Sequence, residues 1–167
     1  MAQAQARAKW EGKSSVEVAG LTADQVWPCL EDFGNLHKWH PSVDTCYLEE
    51  GVPGKVGQVR YCGLTTKSSD GSDEISVQWS KGKLIILDPT ERCLSYQVTE
   101  NNVGIDYYVA TIKVLPINDD GKTGSIIEWA YVADPFVGST HDDLVYYLNY
   151  TLQSMAKKMQ QELLKTT

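Results

Sequence analysis

The chain has no long hydrophobic run. Counted without tyrosine, its longest apolar stretch is Leu84–Leu87, far short of the roughly 20 residues that a membrane-spanning helix needs. It also lacks a concentrated basic segment: the net charge is −7, and Lys157 and Lys158 are followed one turn later by Glu162. Phosphate contacts need a dense cationic surface, so nucleic acid is not an expected partner. Cys29, Cys46, Cys62 and Cys93 contain no C-x-x-C pair, which leaves them as reduced thiols packed in or near the core. Met1–Arg7 carries no apolar run, which argues against a secretory signal and for a cytoplasmic location.

Nucleotide and hydrolase signatures are missing too. Gly51-x-x-Gly54-x-x-Gly57 is followed by neither a helix nor Lys-Ser/Thr, so it reads as a hairpin turn rather than a phosphate loop. Lys67–Glu74 is polar but lacks the spacing of a calcium loop. His37 and His40 stand one helical turn apart with Asp44 nearby. No Cys/His cluster supports them, so neither a metal nor a cofactor is expected.

What is present is a globular composition, with 42% hydrophobic and 22% charged residues. At 18.6 kDa, a folded monomer exposes about 8,200 Å² of the roughly 27,000 Å² of its unfolded chain. That is enough burial for a core without staples, and residues 1–167 are read as one domain. Two-residue alternation marks strands at Trp10–Val18, Thr45–Glu50, Gly57–Gly63, Asp73–Trp79, Arg92–Glu100, Gly104–Leu115 and Ser125–Ala133. Lys83–Asp88 continues the fourth of these through a bulge at Gly82. Thr22 caps a short helix, with Gln25 at capping-box spacing, and Pro28 is expected to kink or divide it. A second short helix spans Asn35–Trp39. Leu144, Leu148, Leu152, Met155, Met159 and Leu163 form one stripe of a long helix over Thr140–Leu164. The order implies an α+β fold, an antiparallel sheet with one apolar face covered by the last helix.

The expected inner face carries Trp10, Trp79, Tyr96, Tyr108, Trp129 and Tyr131. Either these aromatics fill a dry core or they line a cavity in which their polar tips find partners. Arg60 sits mid-strand between Val59 and Tyr61, and alternation leaves its direction open. Outward, it is an ordinary edge arginine; inward, its permanent charge needs a carboxylate or an anionic ligand. Glu100 and Asp106 share parity with inward residues and are the candidate partners.

Several strings, in order along nearly the whole chain, resemble the plant lachrymatory-factor synthases and their relatives in the superfamily of the birch pollen allergen, START domains and plant hormone receptors. They are Lys9-Trp-x-Gly-Lys13, Phe33-x-Asn-Leu-His-Lys38, Pro41-Ser42, Val56-Gly-x-Val-Arg-Tyr61, Leu87-Asp88, Asp106-x-Tyr-x-Ala-Thr111 and Trp129. The resemblance implies a helix-grip fold, a curved seven-stranded sheet around the C-terminal helix with a ligand cavity between them. The synthases isomerise a sulfenic acid to a thial S-oxide with an Arg, a Glu and a Tyr. Local matching places the Arg on Arg60 and the Tyr on Tyr108, and it turns Arg60 toward the cavity. The Glu falls on Gly82, which cannot move a proton. The hormone-receptor branch is rejected: its Ser-Gly-Leu-Pro-Ala gate and His-Arg-Leu latch are absent, and its ligand-binding Lys falls near Asp44, a reversed charge, so an abscisic-acid receptor role is not expected.

The expectation is therefore a plant protein that binds a small, partly apolar ligand without a cofactor. Arg60 and Tyr108 are the candidate catalytic residues, and Trp79, Tyr96, Trp129, Tyr131, Glu100 and Asp106 the candidate ligand-binding residues. The alternatives are a cofactor-free isomerase or cyclase and a non-catalytic carrier or sensor.

Overall fold

A computed structural model describes residues 9–117 and 121–164. The expectation about a leader at Met1–Arg7 lies outside the described residues. Seven strands form one antiparallel sheet: β1 (Trp10–Ala19), β2 (Thr45–Glu50), β3 (Val59–Lys67), β4 (Ile75–Asp88), β5 (Cys93–Asn101), β6 (Tyr108–Pro116) and β7 (Gly124–Ala133). Their spatial order is β1-β7-β6-β5-β4-β3-β2. Helix α1 (Ala23–Glu31) and a 3₁₀ segment (Phe33–Lys38) link β1 to β2, and helix α2 (His141–Leu163) closes the chain. This is the expected α+β helix-grip architecture.

Alternation builds the inner face. On β6 and β7 the paired positions Tyr108↔Ala133, Ala110↔Tyr131, Ile112↔Trp129 and Val114↔Ile127 are all buried. Leu144, Leu148, Leu152, Met155 and Met159 on one stripe of α2 join the same apolar cluster. Both helices begin with reciprocal capping boxes, Thr22 with Gln25 and Thr140 with Asp143. Helix α1 is not divided at Pro28: it runs through to Glu31, and the Asp32 N–H donates to the Pro28 carbonyl. Proline removes only its own N–H bond, and burial of Val26, Trp27 and Leu30 holds the helix on either side of it.

Strand β4 departs from expectation. Ile75, Val77 and Trp79 do share a face, but it is the outer one, and Ile75 and Val77 are exposed. Residues 75–79 pair only with β3, because β5 joins β4 from Ser80 onward. Trp79 is instead the end of an outer ladder in which Tyr47 stacks on Tyr61 at 5.0 Å and Tyr61 on Trp79 at 6.0 Å. Gly63 leaves room for it, since a Cβ there would lie 3.1 Å from the Tyr61 ring.

The register slips at Gly82, where a bulge was expected. Lys81 pairs with Glu100, but Gly82 pairs with Val98, which leaves Thr99 as the extra residue on β5. That single residue reverses the parity of everything after it.

Truncating Leu152 (Leu152→Ala) should cost about 2–5 kcal/mol, because the site is fully buried. Removing the cap (Thr140→Ala) should cost only about 1 kcal/mol. Urea unfolding of the two variants checks both values.

Candidate functional site

Two adjoining spaces open between the sheet and α2. The inner chamber, about 160 Å³, is bordered by Arg60, His40, Gly82, Tyr96, Tyr108 and Trp129, among others. The outer one, about 480 Å³, is bordered by loop and strand ends that include Ser42, Leu64, Gln78, Val103 and Ser139. Cys62, Ser80, Phe136, Leu144 and Tyr147 border both. Water occupies roughly 30 Å³ per molecule in the liquid, so the inner chamber admits a small head group and the outer space a larger body.

Arg60 points inward. It is 4% exposed, and it lies opposite Gly82 and Leu48 in the sheet. Its guanidinium carbon sits 4.0 Å from the centre of the Phe33 ring and 4.6 Å from that of Tyr96. One amino group donates to the Phe33 carbonyl at 3.4 Å. Among the described residues no carboxylate makes an ion pair with it. Two aromatic faces and one carbonyl leave most of its five N–H donors to the chamber.

The two expected carboxylate partners are elsewhere. The extra residue Thr99 turns Glu100 to the outer face, where Lys81 binds it at 3.5 Å and also binds Glu49 at 3.0 Å. Asp106 is exposed in the segment before β6, because the strand begins only at Tyr108 and parity does not extend to it. Tyr131 is buried but borders neither space. Its ring stacks on Tyr108 at 6.3 Å, and its hydroxyl shares a hydrogen bond with His141 Nε2 at 2.8 Å. Trp79 borders the outer space while its ring lies in the outer ladder, away from Arg60. Of the expected aromatics, only Tyr96, Tyr108 and Trp129 face the chamber.

Tyr108 accepts a hydrogen bond from Trp129 Nε1 at 2.9 Å. Burial first, and then the neighbouring Tyr96, hold its hydroxyl well above the ordinary phenol range, so it keeps its proton. Burial likewise pushes Tyr96 up to about 12, against the pull of Arg60. Gly82 lies beneath Tyr96: a Cβ there would meet the ring at 3.0 Å. The Tyr96 ring thus occupies the space that a side chain at residue 82 would use.

His40 is the functional candidate that sequence reading missed as a cavity residue. Burial first, and then Arg60, lower its imidazole to about 4, so it is neutral. Its Nδ1 accepts the Ser42 backbone N–H at 3.1 Å, which places the ring proton on Nε2. The same bond uses the Nδ1 lone pair that a metal would need. His40 follows a 3₁₀ segment and precedes Pro41, where no periodicity signals direction. Tyr147 did have a signal, since it falls on the α2 stripe between Leu144 and Leu148.

The family described as polyketide cyclase / dehydrase and lipid transport matches residues 9–164. Abscisic acid receptor PYL10 of Arabidopsis thaliana is 26% identical over 133 residues, 77% of this chain and 66% of the receptor. Abscisic acid receptor PYL7 of the same plant is 24% identical over 134 residues, 80% of this chain and 59% of the receptor. The chain thus spans less than two-thirds of the length of these relatives. Among solved structures, protein XoxI of Bacillus cereus shares 22% identity and a TM-score of 0.68, covering 93% of this chain and 96% of XoxI. A Thermobifida fusca protein shares 26% identity and a TM-score of 0.64, covering 90% of this chain and 93% of that one. The XoxI likeness is one of fold.

A pH dependence follows from His40. Above pH 6.5 the imidazole is neutral in both the folded and the unfolded chain and costs nothing. Between pH 6.5 and about 4 the unfolded chain takes up a proton that the folded one refuses, so stability falls as pH falls, by about 3 kcal/mol in full. Urea midpoints from pH 7 to 4 should show this slope, and His40→Gln should flatten it.

Proposed function

We propose that this chain, which belongs to the polyketide cyclase / dehydrase and lipid transport family, holds a small, partly apolar molecule with its anionic or strongly polar end on Arg60. The reading is carried by the buried guanidinium, which faces the chamber with one carbonyl partner and, among the described residues, no carboxylate. A desolvated charge of this kind is stabilised when an anion enters and takes up its free donors. Tyr108 and His40 add neutral donors, Tyr96 and Trp129 supply apolar walls, and the outer space receives the body of the ligand.

Binding without turnover is the favoured form of this reading. Residue 82 is a glycine under the Tyr96 ring, Glu100 and Asp106 are turned away from the inner chamber, and among the described residues the carboxylate of Asp143 borders only the outer space, where it accepts the Thr140 backbone N–H of the helix cap. One observation favours a second reading, an isomerase like the lachrymatory-factor synthases: Arg60 and a protonated Tyr108 border the same chamber. In that reading Tyr108 gives a proton while Arg60 holds the developing negative charge. Residues 1–167 act as one domain, in the cytoplasm of a plant cell. The two Arabidopsis relatives are named as abscisic acid receptors. This chain lacks their gate and latch strings, so abscisic acid is expected to bind no more tightly than other small carboxylates.

A matched pair of fluorescent probes tests the binding reading. 1-Anilinonaphthalene-8-sulfonate and uncharged N-phenyl-1-naphthylamine share one apolar body and differ in the anion. Arg60→Leu should weaken the sulfonate at least tenfold, in line with the ~1.5–3 kcal/mol of a charged hydrogen bond, and leave the neutral probe unchanged. Equal weakening of both, or of neither, would sink the proposed anchor. Separately, freshly generated 1-propenylsulfenic acid should yield no thial S-oxide with the unaltered protein; product formation would favour the isomerase reading instead.

A further inference from the structure

We propose that Cys46 and Cys62 form a reactive dithiol that a small hydroperoxide converts into a reversible cross-strand disulfide. The inference rests on the thiol pair alone and holds whatever ligand the chamber takes. The two residues are direct partners across β2 and β3, and their sulfurs lie 3.7 Å apart. Directly opposed strand residues keep Cα atoms about 4.5–5.5 Å apart, inside the roughly 4.4–6.8 Å that a disulfide spans. The bond can therefore close by side-chain rotation, without separating the strands.

Access comes from two sides. Cys62 borders both the inner and the outer space. Cys46 borders a different cleft of about 580 Å³, between the 3₁₀ segment, β2 and the turn at Pro53 and Gly54. The pair thus forms the partition between the two.

The surroundings assign the roles. The Cys46 sulfur and an Arg60 amino group both approach the Phe33 carbonyl, at 3.9 and 3.4 Å. The thiol of Cys62, and then the Arg60 charge, lower Cys46 below the ordinary thiol range against the opposing effect of burial. The same pairing and burial raise Cys62. The Arg60 charge favours a thiolate in this pair, and with Cys46 as the attacking sulfur Cys62 is the resolving one. The Cys46 thiolate attacks the terminal oxygen of the hydroperoxide, the O–O bond breaks, and a sulfenic acid forms. The departing alkoxide takes a proton and leaves as an alcohol, or as water when hydrogen peroxide is the oxidant. Cys62, deprotonated in turn, attacks the Cys46 sulfur; the S–S bond forms as the S–O bond breaks, and the hydroxide leaves as water. Two thiols lose two electrons and one peroxide gains them. The closed bond stays bordered by open space on both sides, so a small dithiol can reach it and reduce it again.

The experiment uses the reduced full chain and one equivalent of hydrogen peroxide, with thiol counting and tryptic mass mapping. Cleavage after Lys55 and Arg60 separates the two cysteines, so an intramolecular bond appears as a linked peptide pair. We expect two thiols lost per peroxide, linkage of Cys46 to Cys62, and full recovery with dithiothreitol. Cys29, which burial raises to about 11, and Cys93, also raised, should react at least tenfold more slowly. In Cys62→Ser, Cys46 should stop at a sulfenic acid that dimedone captures. Oxidation of Cys29 or Cys93 at an equal rate, linkage only between molecules, or Cys46 and Cys62 still free after excess peroxide would each overturn the proposal, and all three can be read on the unaltered protein.

Discussion

A single permanent charge inside the sheet organises this molecule. Arg60 lies between the Phe33 and Tyr96 rings, and those rings come from the 3₁₀ segment and from β5, on either side of its own strand. Their electron-rich faces make burial of the guanidinium tolerable, but they bring no opposite charge. That uncompensated cation faces the cavity, and it adds to burial in lowering His40 while opposing the rise that burial gives Tyr96. A carboxylate in the same place would neutralise the interior and leave nothing to recruit.

The sheet keeps this region open by economical means. Glycine at residue 82 lets the Tyr96 ring lie flat against β4, so the aromatic wall and the arginine occupy neighbouring strands without a clash. The Tyr108–Trp129 hydrogen bond satisfies both polar tips within the wall, and Tyr131 fills the space behind it. Aromatic bulk is packed on the β6–β7 side, where α2 covers it, and is sparse toward β3, where the chamber opens.

Much of the architecture was legible in the sequence, because capping boxes and two-residue alternation act locally. The Thr22 cap, the apolar stripe of α2 and the even-numbered face of β1 needed no tertiary information. The site was legible only in part. Arg60, Tyr96, Tyr108 and Trp129 reach the chamber as expected, but parity misled at Glu100, where one extra residue on β5 reversed it. It misled again at Trp79, where apolar character marked an outer ladder rather than the core. His40 gave no periodic signal, and the opposition of Cys46 and Cys62 depends on a strand register that no spacing in the sequence encodes.

The division of the cavity into a tight inner chamber and a wide mouth also bears on how such a protein diversifies. The inner chamber is built largely on buried side chains of the sheet, the 3₁₀ segment and α2, whose replacement disturbs the core. The mouth is made partly of connecting loops, at Ser42, Val103 and Ser139, whose replacement leaves the strand ladder intact. Selection can therefore act on the two ends of a ligand independently. If Arg60 is the anchor, the head-group class is tied to core positions, while the range of bodies that share this head is set by positions that can change freely.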